Sequence, residues 1–324
     1  SGKISNKGWE ISVSGVPVKV KNFEWKTIFN WSKNNSMVES LPEGIDKIQI
    51  GSGVYNVKSY AEVGKPYGAI YAKTFKRDAE GYILCQLDGS PKEGQDYEYL
   101  GCVQADWRGG WNNVFRLGNF SFSVMFDFQK GGKFFSQTSI QSSVDGQSVK
   151  SLEGRDADFF SRKILGESDE ERYGFMRPQN ANTPTANGQI YPDWGRPKGV
   201  VLPNCRYDED VEGLAGQQVL GYCTPERYWM HYTSRDISRF IYDASYVKLR
   251  EITVSYDLPK KWLRKTPFQT FRVAAVGRNI ATLFANTPHG LDPQATSTTG
   301  NAQGFERGFN LPSATYGFDI KVSF

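Results

Sequence analysis

The stretch that most limits the fold is Ala314–Phe324, which alternates with a period of two. Tyr316, Phe318, Ile320, Val322 and Phe324 fall on one face, and Gly317, Asp319, Lys321 and Ser323 on the other. At about 3.3 Å per residue its length matches the roughly 9–11 residues of a tilted transmembrane β-strand. Ionisable groups on one face and apolar or aromatic groups on the other suit a wall with lipid outside and water inside. The chain closes on the apolar Phe324, whereas soluble domains tend to fray into polar tails. Taken alone, the same alternation also fits the edge of a soluble sandwich.

Earlier segments repeat the pattern. Trp9–Val18 and Phe23–Ser32 read as a hairpin, with Trp9, Ile11 and Val13, then Phe23, Trp25, Thr27, Phe29 and Trp31, on one face. Val54–Glu62 and Ala69–Lys76 are weaker strands. Gly110–Leu117 and Phe120–Lys130 flank a Gly118-Asn119 turn. In the second of these, Phe120, Phe122, Val124, Phe126 and Phe128 oppose Ser121, Ser123, Asp127 and Gln129. Tyr246–Tyr256 slips its period near Arg250, which marks a bulge, and Phe268–Arg278 precedes the terminal strand. Thr224 as an N-cap predicts a short helix over Pro225–Ile237.

The connections sort by end. Short turns follow Val18, Glu62, Leu117 and Tyr256; long loops, about 33–53, 77–107, 131–242 and 279–312, follow the other strands. Outer-membrane barrels have short periplasmic turns and long extracellular loops. A sandwich gives its loops no reason to sort in this way. The expected fold is therefore all-β, a membrane-spanning antiparallel up-and-down barrel. The strand count of about nine is odd, and an open edge in lipid would leave backbone groups without partners, so the chain is expected to be part of a larger barrel.

Composition adds exclusions. Among 324 residues, aromatics reach 14%, and the formal charge is +4 with both signs interspersed. No run of about 18 apolar residues exists, so a helical span is excluded. The mean hydropathy of −0.53 does not count against a barrel, because lumen-facing positions and loops dilute the apolar stripes. No Lys/Arg block points to nucleic acid. The start, Ser1-Gly-Lys-Ile, carries no signal peptide, lipid-attachment box or initiator Met. Cys85, Cys102, Cys205 and Cys223 show neither CxxC spacing nor nearby histidines, which argues against a metal site. The expectation is two local disulfides within loops, with free thiols the alternative.

Tyr242-Asp-Ala-Ser-Tyr-Val-Lys-Leu-Arg-Glu-Ile252 and the following Thr253-Val-Ser-Tyr-Asp-Leu-Pro259 resemble the late barrel of the SusC/RagA-type TonB-linked outer-membrane transporters. So do Gly277-Arg-Asn279, Gly290-Leu-Asp-Pro293 and Pro312-Ser-Ala-Thr-Tyr-Gly-Phe318, and, earlier, Asn6-Lys-Gly-Trp-Glu10 and Ala105-Asp-Trp-Arg-Gly-Gly110. One stretch, Gly101-Cys-Val-Gln-Ala-Asp106, departs from the family's usual Gly-Asn, two residues, Pro-Asp. The resemblance implies the C-terminal portion of a roughly 22-stranded barrel, with the plug and the TonB-contacting segment elsewhere. It further implies import of oligosaccharides, or in some members peptides, beneath a SusD-like surface lipoprotein, with energy from the TonB complex and no cofactor. The chain reads as a transporter, not an enzyme; a secreted β-rich glycan-binding module is the rival of a different class.

Candidate residues follow from position and chemistry. Tyr191, Trp194, Trp229 and Tyr232, in the longest loop, are candidates to stack on cargo, since apolar sugar faces pack on aromatic rings; packing of the loop itself is the competing role. Tyr316, Phe318, Ile320, Val322 and Phe324 would carry the barrel-insertion signal that the resemblance implies. His231 and His289 lack triad or ligand-spaced partners. Asp208-Glu-Asp210 lacks the full calcium-loop pattern. Asp156 and Asp158 have nothing to fix a glycosidase spacing. Gly131-Gly132 reads as a turn rather than a phosphate cradle.

Overall fold

Seven strands form one antiparallel meander in which every sequence neighbour is also a hydrogen-bonded neighbour. In the computed structural model they are β1 (Lys3–Val20), β2 (Phe23–Ser40), β3 (Trp107–Leu117), β4 (Phe120–Lys130), β5 (Tyr246–Asp257), β6 (Thr270–Ala285) and β7 (Thr315–Ser323). The structure describes residues 2–152, 200–223, 227–288, 290–296, 300, 303–308 and 313–324. β1 and β7 lie at opposite edges of the sheet.

Cross-strand register explains why the faces stay separate. On one face Trp25 pairs with Phe115, Phe115 with Phe122, Phe122 with Val254, Val254 with Ala275 and Ala275 with Phe318. Ring centroids of Trp25 and Phe115 lie 5.9 Å apart, and those of Phe115 and Phe122 6.1 Å, within the range where stacked aromatic pairs add stability. The few polar groups on this face are satisfied there. Trp25 Nε1 donates to Asn113 Oδ1 at 3.0 Å, and Trp111 Nε1 donates to Thr27 Oγ1 at 2.9 Å. Among the described residues no second sheet covers this face: Phe122 is 40% exposed, Ile320 63% and Phe318 87%. A sandwich would have buried them.

The connections alternate more sharply than the sequence suggested. Residues 21–22, 118–119 and 258–269 join strands at one end; 41–106, 131–245 and 286–314 join them at the other. The meander therefore has seven strands rather than the nine expected. Lys58–Glu62 and Ala69–Ala72, inside two of the expected spans, belong instead to a four-stranded sheet with Lys47–Ser52 and Glu98–Cys102. At about 3.3 Å per residue, such short segments cannot cross a hydrocarbon core of about 30 Å. The expected loops 33–53 and 77–107 thereby merge into one excursion.

The long connections build a layer of small sheets around two apolar cores. Ile83–Cys85, Val200–Tyr207 and Gln218–Cys223 make one three-stranded sheet; Lys133–Ser136, Ile241–Asp243 and Phe305–Glu306 make another. One core gathers Phe75, Ile83, Leu202, Tyr228 and Trp229; the other gathers Val57, Ile70, Phe135, Ile140, Ile237 and Phe240. The helix expected over Pro225–Ile237 takes the form of short turns at Tyr228–Tyr232, Thr233–Arg235 and Ile237–Phe240. A helix at Gln137–Val144 was not expected. Ser136 caps it by accepting from Ser139 N at 3.1 Å.

Candidate functional site: the polar face and its mouth

The second face of the meander carries polar and charged groups, and one extra residue keeps them aligned. Leu249 pairs with Phe126 and Glu251 with Met125, so Arg250 is left over in β5. Without that bulge, Glu251, Thr253 and Ser255 would turn to the apolar face, because a one-residue slip inverts a strand. The bulge expected from the sequence near Arg250 is present. Near the short-turn end, this face forms a cavity of about 380 Å³ lined by Glu24, Lys26, Arg116, Ser121, Ser123, Thr253, Ser255 and Arg272. Arg272 donates two hydrogen bonds to Asp257, at 2.6 and 2.8 Å, the bidentate geometry of a strong pair.

At the other end lies a mouth. Arg108, Asp127, Gln129, Lys133, Tyr246 and Gln294 line a cavity of about 430 Å³. Arg250 pairs with Asp127 and donates to Gln294 Oε1 at 2.7 Å. Tyr246 OH donates to Asp127 Oδ2 at 3.2 Å and accepts from Gln294 Nε2 at 2.5 Å. Lys248 is fully buried, and its Nζ donates to Asp292 Oδ1 at 2.6 Å. These bonds seat the segment around Asp292–Gln294 on the wall. Every buried charge in the set has an opposite partner, as burial demands.

Two further contacts tie the mouth to the loop layer. Asp243 lies 3.5 Å from Lys133 and accepts from Ser245 N at 2.8 Å and Asn286 Nδ2 at 3.3 Å. Burial works to raise its pKa, but these donors outweigh it and hold the carboxyl below its ordinary range. Gly131 and Gly132 turn the chain out of β4 with φ of +73° and +83°. The positive φ calls for glycine at Gly131, and a Cβ there would also push against the Asp106 carboxylate, 2.4 Å away.

The sequence-chosen residues scatter. Trp229 and Tyr232 are 1% and 2% exposed, packed in the core with Phe75 and Tyr228; they hold the loop layer together and offer no open ring face here. Tyr191, Trp194, Asp156, Asp158 and His289 lie outside the described residues. His231 is exposed. Asp208 is engaged by Lys76 at 2.8 Å and Lys92 at 2.7 Å, a salt-bridge role rather than a calcium loop. Among the described residues, no group of three or more His, Cys, Asp or Glu is placed to hold a metal.

The two local disulfides are not formed. Cys205 pairs with Val219 and Cys223 with Val200 in the hairpin. Four residues of strand, about 13 Å, therefore separate Cys223 from the position opposite Cys205, beyond the reach of a bridge. Cys102 belongs to a different sheet from Cys85, and its thiol donates to Tyr67 O at 3.4 Å. Tyr316, Phe318, Ile320 and Phe324 do share an exposed apolar stripe, with Val322 between them in register. Sequence reasoning missed the mouth network, because Lys248 and Asp292 are joined by folding across 44 positions.

No protein-family model matches the chain. The TonB-dependent receptor P3 of Formosa agariphila is 23% identical over 337 residues, covering 97% of this chain and 28% of that protein. A second receptor of that organism, the TonB-dependent receptor P39, is 21% identical over 183 residues, covering 41% of this chain and 17% of its own length. The chain thus spans less than a third of the curated relatives it matches. In fold it is similar to the RagAB peptide importer in its open-open state, with a TM-score of 0.54 at 15% identity, covering 100% of this chain and 29% of that one. The closed-closed state of the same importer gives a TM-score of 0.54 with 30% of its chain covered. With its bare apolar face, its charge-paired polar face and its sorted connections, the chain has the fold of a β-barrel segment like that of the RagAB importer, and its sequence is similar to that of TonB-dependent receptors.

Proposed function

We propose that this chain forms part of the wall and the outer loop layer of a TonB-dependent outer-membrane importer of oligosaccharides. The observation that carries the reading is the uncovered apolar face of a single meander, with Phe318 87% exposed, and cavities behind it lined mostly by polar and charged groups. In water such a face would be an aggregation surface; in a bilayer it is ordinary lipid contact. A secreted glycan-binding module would need a second sheet over it. Among the described residues β1 and β7 are edge strands, which calls for further strands, since lipid satisfies no backbone group. Those strands, the plug and the TonB-contacting segment would come from the rest of a longer protein, and a SusD-like lipoprotein would sit over the loop layer. The stripe from Tyr316 to Phe324 would serve barrel insertion.

The oligosaccharide reading draws on the pairing of charges at the mouth. With Asp127, Arg250, Lys248 and Asp292 neutralised among themselves, a cargo would meet amides and hydroxyls such as Gln129, Thr296 and Gln303 beside the Arg108 and Lys133 side chains. A peptide cargo is the second reading, favoured by the likeness to an importer described as carrying peptides. Uptake of labelled oligosaccharides and labelled peptides by cells with and without the full-length protein tests both. Oligosaccharide uptake should depend on the protein and stop when a protonophore collapses the proton-motive force. Protein-dependent uptake of peptides alone would shift the cargo to the second reading. Recovery of the protein in the soluble secreted fraction would overturn the barrel.

A further inference from the structure

Cys85 and Cys205 come from different excursions, 120 positions apart, yet they meet in the same core. Val200–Tyr207 runs parallel to Ile83–Cys85, with Cys205 opposite Ile83 and Tyr207 opposite Cys85. Period two then places both cysteines on one face of this small sheet. They are 0% and 1% exposed, among Phe75, Leu202, Tyr228 and Trp229. The Cys205 thiol donates to Leu202 O at 3.1 Å, and its sulfur is hydrogen-bonded by the side chain of Cys85. Gly221 leaves room for this pair, since a Cβ there would come within 2.6 Å of Cys205 Sγ.

We propose that Cys85 and Cys205 are the disulfide-forming pair of this protein, a covalent staple between its first and second outer excursions. The seam they would lock is already built. Asp208 N donates to Cys85 O at 3.0 Å, and Arg206 donates to Asp78 Oδ2 at 3.0 Å and to Glu80 Oε2 at 2.9 Å. The oxidant is a protein disulfide of the cell envelope. One cysteine, as thiolate, attacks that disulfide and releases one donor thiolate. The other then loses its proton, attacks the Sγ of the first and releases the second donor thiolate. Two electrons pass to the donor and two protons to solvent. In the closed core the hydrogen bond from Cys85 lowers the Cys205 pKa against the opposing effect of burial, and the nearby charge of Arg77 adds to it; either cysteine can make the first attack while the core is still open. Exchange takes place during folding, before the core closes over the two sulfurs.

The inference rests on the loop layer facing an oxidising exterior, as in the function proposed above. The test uses full-length protein from outer membranes, acid-quenched and alkylated under denaturing conditions, then digested without reductant and mapped by mass spectrometry. A peptide pair linked through Cys85 and Cys205 is expected. Links joining Cys85 to Cys102 or Cys205 to Cys223, or alkylation of both residues, would overturn it. External protease on intact cells reports location separately, so a surface-exposed loop layer with both cysteines alkylated would sink the disulfide and spare the importer. As a second readout, reductant should speed cleavage within the loop layer of the wild type severalfold and leave the rate of Cys85→Ser/Cys205→Ser unchanged. Equal acceleration of both would also count against it.

Discussion

The meander and the loop layer use the same period-two alternation and end in opposite places. In β4, Phe120, Phe122 and Val124 share a face that no other described layer covers, and Phe122 is 40% exposed. In Ala69–Ala72, four residues long, every position is buried. Alternation states only that a strand has two unlike faces. Length and partners decide whether the apolar one meets lipid or protein. Strands of 11 to 18 residues form the wall from β1 to β4, whereas segments of three to five residues, such as Ile83–Cys85 and Lys58–Glu62, fold back on one another.

The comparison is broken most severely where the two regions are joined. Lys248→Met would leave the carboxylate of Asp292 without its cation, and removing one partner of a buried pair costs about 3–5 kcal/mol. Loss of protection from hydrogen exchange around Asp292–Gln294 in the full-length protein is the expected signal, with most of it regained in Lys248→Met/Asp292→Leu. A double variant as impaired as the single one would show that the pair does not hold this segment to the wall.

Trp229→Ala separates the regions next. Truncating a buried tryptophan costs about 3–5 kcal/mol, and here the loss should stay in the loop layer. Protease should cut between the small sheets while heat-modifiable migration on gels, a readout of the intact barrel, is kept. If Trp229 instead served as a stacking platform, cargo binding would fall with protease resistance unchanged.

A pair of neighbouring positions then sharpens the wall itself. Val254 sits on the apolar face, 47% exposed, and Thr253 lines the cavity behind it. Val254→Arg should destabilise the full protein in lipid vesicles by about 2–4 kcal/mol, the depth-dependent cost of arginine on a lipid face. Thr253→Arg should cost far less. Equal costs at the two positions would mean that both faces see the same medium.

What was legible in the sequence follows from the same contrast. The face of β4 could be read directly, because every second residue from Ser121 to Gln129 is polar, Met125 excepted. The slip at Arg250 also showed, since the polar series changes parity there. Lys58–Glu62 could not be told from a spanning strand by pattern, and its company in a four-stranded sheet is a long-range fact. Gln137–Val144 was missed because it buries only Ile140 and Ser143, too little for an amphipathic signal. Trp229 illustrates a different limit: a loop aromatic reads alike as platform or plug until its neighbours are known.

The smallest effect concerns the charge seam of the loop layer, and pH reaches it. Asp208 is buried, which alone would raise its pKa, but hydrogen bonds from Lys76, Lys92 and Glu209 N prevail and bring it to about 2. Because the folded value lies below the ordinary carboxylate value near 3.9, the stabilisation is fully present above that value and is lost as pH falls through the folded one. The shift corresponds to about 2 kcal/mol at neutral pH. Hydrogen exchange or pulse proteolysis of the seam between Ile83–Cys85 and Val200–Tyr207, followed from pH 5 down to 2, should show that loss. Asp208→Asn should be weaker at pH 5 and markedly flatter below it, while the exchange of β4 and β5 backbone amides follows the wild type. An unchanged slope in the variant would move the acid sensitivity to other carboxylates and leave the seam held by its apolar core alone.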